Sequence, residues 1–367
     1  MKYQKYGDMV ICAAPDEGEL DWTEIENIVR HTHNTWQHDR KEEETRKNTI
    51  QGKKAELVME RLLSAYSSFR YLSYDRIRRD DFKKHAPFDG LIYPVSLDEG
   101  VKAEAIQRIC SDVQISAGDS GVISVGTRTF LAGSGIFTVE IKSSLLQDPR
   151  DYQNMEHKEN GERTQADYQA LCGHIREFYD YFVYPHYCRD SEAVTCFYEY
   201  TTYVRRNHPE LTKGVGSMGF LYRLMETEFD HACDIYTRVF FDVLTQEIII
   251  PGYILKTRFF EEPRIQKMYS SKSYNALYYM YHMRYGRCIL SIDEDDELLH
   301  WERDKECSRL FGAKKVRCPN CGNLLKIREV TTRPDPKENK FLYLCDSCQR
   351  NKWFTFKQIH PQNMENR

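Results

Sequence analysis

The run Ile136-Phe-Thr-Val-Glu-Ile-Lys142 decides how this chain is read. Side chains alternate along an extended strand, so Phe137, Val139 and Ile141 share one face and Thr138, Glu140 and Lys142 the other. The apolar trio predicts a strand with one buried face. The opposite face sets a carboxylate beside an ammonium. Charge is costly to bury unless it is paired or binds a metal. Taken alone, the Glu-x-Lys pattern also fits a solvated outer face carrying a cross-strand ion pair.

Working outward, helix and strand signals surround this run. Residues 21–46 are polar and charged, and predict helix with Asp21 or Thr23 as a cap. A second helix opens at Gly52, where Ala55, Val58, Leu62, Ala65, Tyr66 and Phe69 recur at three- and four-residue steps. Glu56 falls beside that apolar stripe, in a first turn that favours acids. Residues 88–93 predict a strand stopped by Pro94, with Asp89 near its start. Helix is expected over 101–110, 165–184 and 218–233, and strands over 121–125, 135–141, 236–243 and 247–255. Pro251 makes the last of these an edge or bulged strand. The whole predicts an α/β chain with a mixed central sheet flanked by helices.

The 367 residues suffice for one large domain or two modest ones, and 41% hydrophobic content can build a core. No apolar run reaches the ~18 residues of a membrane span, and the first residues lack a signal-peptide core. A soluble, cytoplasmic protein with no membrane partner is the expectation. Eight of the 12 cysteines are scattered without disulfide-like spacing. A net charge of −4 excludes a chain that is polyanion-binding throughout, yet residues 314–357 carry eleven Lys/Arg against four Asp/Glu.

That basic tail holds the other four cysteines. Cys318-Pro-Asn-Cys321-Gly322 and Cys345-Asp-Ser-Cys348 are separated by 23 residues, a spacing suited to one tetrahedral Zn²⁺. Residues 324–330 and 341–344 are expected to pair as strands, with 353–356 as a third. The tail resembles a small zinc ribbon in which zinc is structural. Its charge favours nucleic-acid contact; a protein-docking role is the other reading.

Four residues in order then carry a wider resemblance. Glu56 on the helix, Pro87-Phe-Asp89 at the strand start and Glu140-Ile-Lys142-Ser-Ser144 on the quoted strand resemble the motifs of the PD-(D/E)xK nuclease superfamily. The likeness spans residues 50–185, about a third of the chain, with the helix from Gln165 following the third motif. The chain departs from the pattern in reading Pro-Phe-Asp for Pro-Asp, and in the 50 residues between Asp89 and Glu140. A helical insertion over 101–110 accounts for the second departure. Asp119 is the alternative metal carboxylate.

The resemblance implies a restriction-endonuclease-like fold over residues 1–312 (core about 50–260), followed by the ribbon over 313–367. It implies Mg²⁺ or Mn²⁺ on Asp89 and Glu140, with Lys142 orienting or deprotonating a water and Glu56 holding a metal-bound water or a second metal. DNA is the implied substrate, in restriction or defence, and cutting both strands from one site per chain implies a homodimer. RNA and DNA, and internal and terminal cleavage, are not separated by the sequence. A non-catalytic nucleic-acid or protein adaptor on the same fold is the competing reading.

Overall fold

A computed structural model describes residues 2–31, 41–118, 120–146, 163–187, 197–215, 217–261, 265–269, 275–311, 315–318, 320–326, 331–335, 340–345 and 347–355. The chain opens with the hairpin β1 (Tyr3–Tyr6) and β2 (Met9–Ala13). Helix α1 (Trp22–His31) precedes α2 (Glu42–Tyr66). Glu42, Glu43 and Glu44 crowd the first turn of α2, where the positive end of the helix dipole favours them. Gly52 is therefore internal to a longer helix and does not open one. Ala55, Val58, Met59, Leu62 and Leu63 form its buried stripe.

Strands β3 (Phe69–Ser73) and β4 (Gly90–Pro94) follow. Next come α3 (Glu99–Ile115), capped by Asp98, and α4 (Val125–Gly133), capped by Ser124. The strand expected over 121–125 is absent. Ser124 Oγ accepts from the Thr127 N–H and its own N–H donates to Asp112 Oδ2, so cap chemistry overrides a short β-branched run. The quoted stretch becomes β5 (Phe137–Leu146).

Helix α5 (Gln165–Phe178) starts at a Thr164/Asp167 capping box and ends before Tyr179, and β6 (Asp180–Val183) replaces the rest of the helix expected there. Helices α6 (Phe197–Asn207) and α7 (Ser217–His231) lead to β7 (Ile235–Asp242). The single strand expected over 247–255 is two, β8 (Glu247–Ile250) and β9 (Tyr253–Leu255). They break at Pro251-Gly252, where Gly252 has φ +125° and a Cβ would lie 2.3 Å from the Arg287 carbonyl. The remaining helices are α8 (Thr257–Glu261), α9 (Asp296–Leu299) and α10 (Arg303–Phe311). The remaining strands are β10 (Ile265–Tyr269), β11 (Asn275–His282), β12 (Lys315–Arg317), β13 (Leu324–Lys326), β14 (Thr331–Asp335), β15 (Lys340–Leu344) and β16 (Asn351–Thr355).

Two compact units result. The first comprises Met1–Tyr181, Cys233–Leu255 and His282–Trp301; the second comprises Phe182–Ala232, Lys256–Tyr281 and Glu302–Arg367. The first unit holds a mixed sheet in the order β1-β2-β8-β7-β5-β4-β3, with β9 also paired to β7. Its pairs are antiparallel except β5 and β7, which run parallel with Glu140 opposite Tyr236 and Lys142 opposite Arg238. Strand β4 pairs directly with β5, so the chain containing α3 and α4 is an excursion between neighbouring strands. The second unit holds the β10–β11 hairpin, an aromatic cluster around buried Phe229, Phe260 and Tyr279, and the cysteine-bearing tail. Among the described residues no helix is long and apolar enough to cross a membrane.

One buried polar junction fixes β5 against the start of β7. Asp234 Oδ2 accepts from the Thr138 N–H (2.9 Å) and hydroxyl (2.8 Å), and the Asp234 N–H returns a bond to Thr138 Oγ1 (3.0 Å). Asp234→Ala leaves the Thr138 donors buried without that acceptor, so a loss of about 2–4 kcal/mol is expected. Urea unfolding checks it through the midpoint at constant slope.

Candidate functional site

Sequence reasoning singles out Glu56, Asp89, Glu140 and Lys142, all of which lie in the first unit. Glu56 sits well inside α2, because the helix begins several turns earlier than expected, and its side chain is largely buried rather than exposed in a first turn. One turn before it, Lys53 Nζ donates to Glu56 Oε2 (3.0 Å) and Asp75 Oδ2 (2.6 Å), and lies 2.7 Å from Glu24 Oε1. Three carboxylates thus share one ammonium. Burial pushes the Glu56 carboxyl up, Lys53 opposes this and Asp75 adds to it, leaving it at about 7. Lys53 shifts the other way from what burial favours: its three acidic partners outweigh burial and hold it charged. The two shifts are compatible because the cluster has more carboxylates than cations.

Asp89 immediately precedes β4. Its N–H donates to the Val139 carbonyl (3.0 Å), and its Oδ2 accepts from the Ile141 N–H (2.6 Å). Both contacts tie it to the stretch of β5 that carries Glu140. The next residue must be small: a Cβ on Gly90 would meet the Tyr71 ring at 2.5 Å. That ring's hydroxyl donates to the Asp89 carbonyl (3.2 Å). Burial pushes the Asp89 carboxyl well above the usual range; Glu140 reinforces this, Lys142 opposes it and Glu56 adds to it.

Glu140 and Lys142 lie on the half-open face of β5, and Lys142 Nζ donates to Glu140 Oε1. Thr138 does not share that exposure; it is buried against Asp234. Cys233, one of the scattered cysteines, places its Sγ 3.9 Å from Glu140 Oε2. Burial pushes its thiol well up, and Glu140 pushes it further. Asp119 lies outside the described residues.

The structure therefore brings Asp89, Glu140 and Lys142 together and sets Glu56 in an adjoining ion cluster. Two carboxylates facing one ammonium form a site short of positive charge. Hard divalent ions take oxygen donors, and Mg²⁺ commonly uses one or two carboxylates with waters. Asp89 and Glu140 each offer carboxylate oxygens, the donor type such ions take. Sequence reasoning missed Lys53, although its three-residue step to Glu56 on one helix was a usable signal. Tyr71, Asp75 and Cys233 carried no local signal.

The four tail cysteines form a second site, in the second unit. Among the described residues, Cys318, Cys321, Cys345 and Cys348 are the one group of three or more His, Cys, Asp or Glu side chains whose ligand atoms all lie within 4.8 Å. Both knuckles close alike: the Gly322 N–H donates to the Cys318 carbonyl (2.8 Å) and the Gln349 N–H to the Cys345 carbonyl (2.7 Å). Gly322 and Gln349 both take positive φ, +72° and +55°. Burial raises the Cys318 thiol, but the N–H groups of Asn320 and Cys321 together with the Cys345 and Cys321 sulfurs outweigh it and bring it down to about 6. The tail strands pair differently from the expectation. Strand β13 pairs with β12 across the first knuckle, and β15 lies between β14 and β16. Each knuckle thus closes a local antiparallel pair, β12–β13 and β15–β16.

Comparison with known proteins finds no matching family model, no matching curated protein and no matching solved structure.

Two outcomes follow from these sites. The chain as purified should carry about one zinc, and Cys345→Ala should lose it and unfold the tail; elemental analysis and limited proteolysis read both. For Glu56 the native state binds more protons than the unfolded chain between about pH 4.5 and 7, so its contribution to stability is complete at low pH and falls as pH rises. Glu56→Gln is expected to remove a pH dependence on the order of 3 kcal/mol across that window, read by urea unfolding at several pH values.

Proposed function

We propose that this chain is a metal-dependent nuclease of the PD-(D/E)xK kind, hydrolysing phosphodiester bonds of DNA. The observation that carries the reading is that Asp89, the residue before β4, accepts from the Ile141 N–H beside Glu140 on the antiparallel neighbour β5, with Lys142 Nζ bonded to Glu140. The order of elements supports it. Glu56 lies on a helix, Asp89 at the start of β4, and Glu140 and Lys142 on β5, with α5 following and β7 parallel to β5.

A Mg²⁺ or Mn²⁺ held here would supply positive charge against the phosphate and make water a better nucleophile. Asp89 and Glu140 are the residues that would hold it, and their mutual repulsion favours the cation. Asp89 is kept in place by the Ile141 N–H, so it need not reorganise when substrate arrives. Lys142 orients the attacking water or stabilises developing charge at phosphate. Thr138 and Asp234 hold β5, and so Glu140, in register with β7. The basic four-cysteine tail suits phosphate contact. Restriction or defence use and a homodimer that cuts both strands extend the same reading.

Linear and circular DNA incubated with Mg²⁺, Mn²⁺ or EDTA test it. Cleavage is expected with either metal and none with EDTA. Asp89→Asn, Glu140→Ala and Lys142→Ala are expected to lose about 10²–10⁴-fold in rate while remaining folded. Full cleavage by a folded Glu140→Ala or Lys142→Ala variant would remove that residue from the mechanism. DNA binding without cleavage by the wild type would favour the adaptor reading.

A further inference from the structure

The cluster around Lys53 resembles a cation site filled by a side chain. Its Nζ has Asp75 Oδ2 at 2.6 Å, Glu24 Oε1 at 2.7 Å, Glu56 Oε2 at 3.0 Å and Ser73 Oγ at 3.4 Å. These oxygens come from three separate parts of the first unit: α1, α2, and the chain from the end of β3 to Asp75. The Lys53 side chain is 11% exposed and its three acidic partners 15–17%. Asp75 is fixed from behind by Arg78 Nη1 at 2.9 Å, and Arg78 also binds Asp80. Even with Arg78 sharing Asp75, one ammonium also has to meet Glu24 and Glu56; a divalent ion with oxygen ligands would be the closer match.

We infer that Lys53 is a positioning residue whose ammonium occupies a built cation site beside the Asp89/Glu140 pair, removing Glu56 from metal coordination and leaving one divalent ion at the reacting centre. This rests on the metal-dependent reading above and departs from the family resemblance in one respect, since the resemblance gives Glu56 the role of holding a metal-bound water or a second metal. Glu56 instead acts at a distance. Its charge is felt at Asp89 and at Tyr71, whose hydroxyl donates to the Asp89 carbonyl. By holding Glu56 against itself, Lys53 limits how much negative charge reaches the metal carboxylates.

Removing the ammonium should therefore open the cage to a metal. The full chain, its cysteines loaded with zinc, is titrated with Mn²⁺ at about pH 8, above the range of Glu56, and free Mn²⁺ is read by electron paramagnetic resonance. Lys53→Met is expected to bind about one more Mn²⁺ per chain than the wild type, and Lys53→Met with Glu56→Gln to lose that gain. Lys53→Arg, which keeps the charge, should stay at the wild-type count. An unchanged count in Lys53→Met, or an equal gain in Lys53→Arg, overturns the inference.

If Lys53→Met does not fold, Lys53→Met with Glu24→Gln leaves two carboxylates and less buried charge. It is expected to gain the ion and a higher melting temperature with Mn²⁺; folding without either effect overturns the inference equally. A wild-type count of zero contradicts the metal-dependent reading alone, because the gain on losing Lys53 is measured against whatever the wild type binds.

Discussion

Asp89 and Glu140 are drawn together by backbone hydrogen bonding and pushed apart by charge. The Asp89 N–H donates to Val139 and the Ile141 N–H donates to the Asp89 carboxylate, so the β4–β5 pairing itself holds one acid against the strand that carries the other. Neither can move away without breaking main-chain bonds of the sheet. Lys142 supplies one positive charge to this pair, and burial makes the shortage more costly. Much of the first unit serves to keep that conflict in place. Tyr71 fills the space beside Gly90, Asp234 staples Thr138, and α2 lays its apolar stripe into the core while presenting Lys53 and Glu56 at its edge.

Charge balance then extends outward by steps. The chain Arg78–Asp75–Lys53–Glu56 alternates in sign, and Glu24 joins it from α1. Breaking such a network leaves an uncompensated buried charge, so each member is held more firmly than a surface pair would be. A second device works in the other unit by different means. Four cysteines on two similar knuckles gather sulfur donors, with backbone N–H groups directed at Cys318. A metal bound by these four sulfurs would contribute folding energy to the tail.

What the sequence made legible follows from the range of the interactions involved. Alternation in 136–142 marked β5, and the three- and four-residue steps in 55–62 marked α2, because both are local periodicities; the stripe expected to run on through Ala65, Tyr66 and Phe69 fails there, since Ala65 and Tyr66 are exposed and Phe69 belongs to β3. The paired Cys-x-x-Cys spacing marked the sulfur cluster for the same reason. The failures were mostly long-range or competitive. Lys53 meets Glu24 and Asp75 only in the fold, and Thr138 meets Asp234 across 96 residues. Ser124 capped a helix where β-branched neighbours suggested a strand, and Pro251-Gly252 cut one apolar run into two strands. Glu56 was assigned to the right element but the wrong turn, which hid its burial.

The central claim is that Asp89 and Glu140 jointly hold a divalent ion. Iron-directed backbone cleavage tests it without relying on any substrate: Fe²⁺ with ascorbate and peroxide replaces Mg²⁺, and cut positions are read by mass spectrometry of the zinc-loaded chain. Cuts are expected close to Asp89 and Glu140, suppressed by excess Mg²⁺ and absent in Glu140→Ala. Cleavage confined to other segments, or unaffected by Mg²⁺ and by Glu140→Ala, would contradict the site.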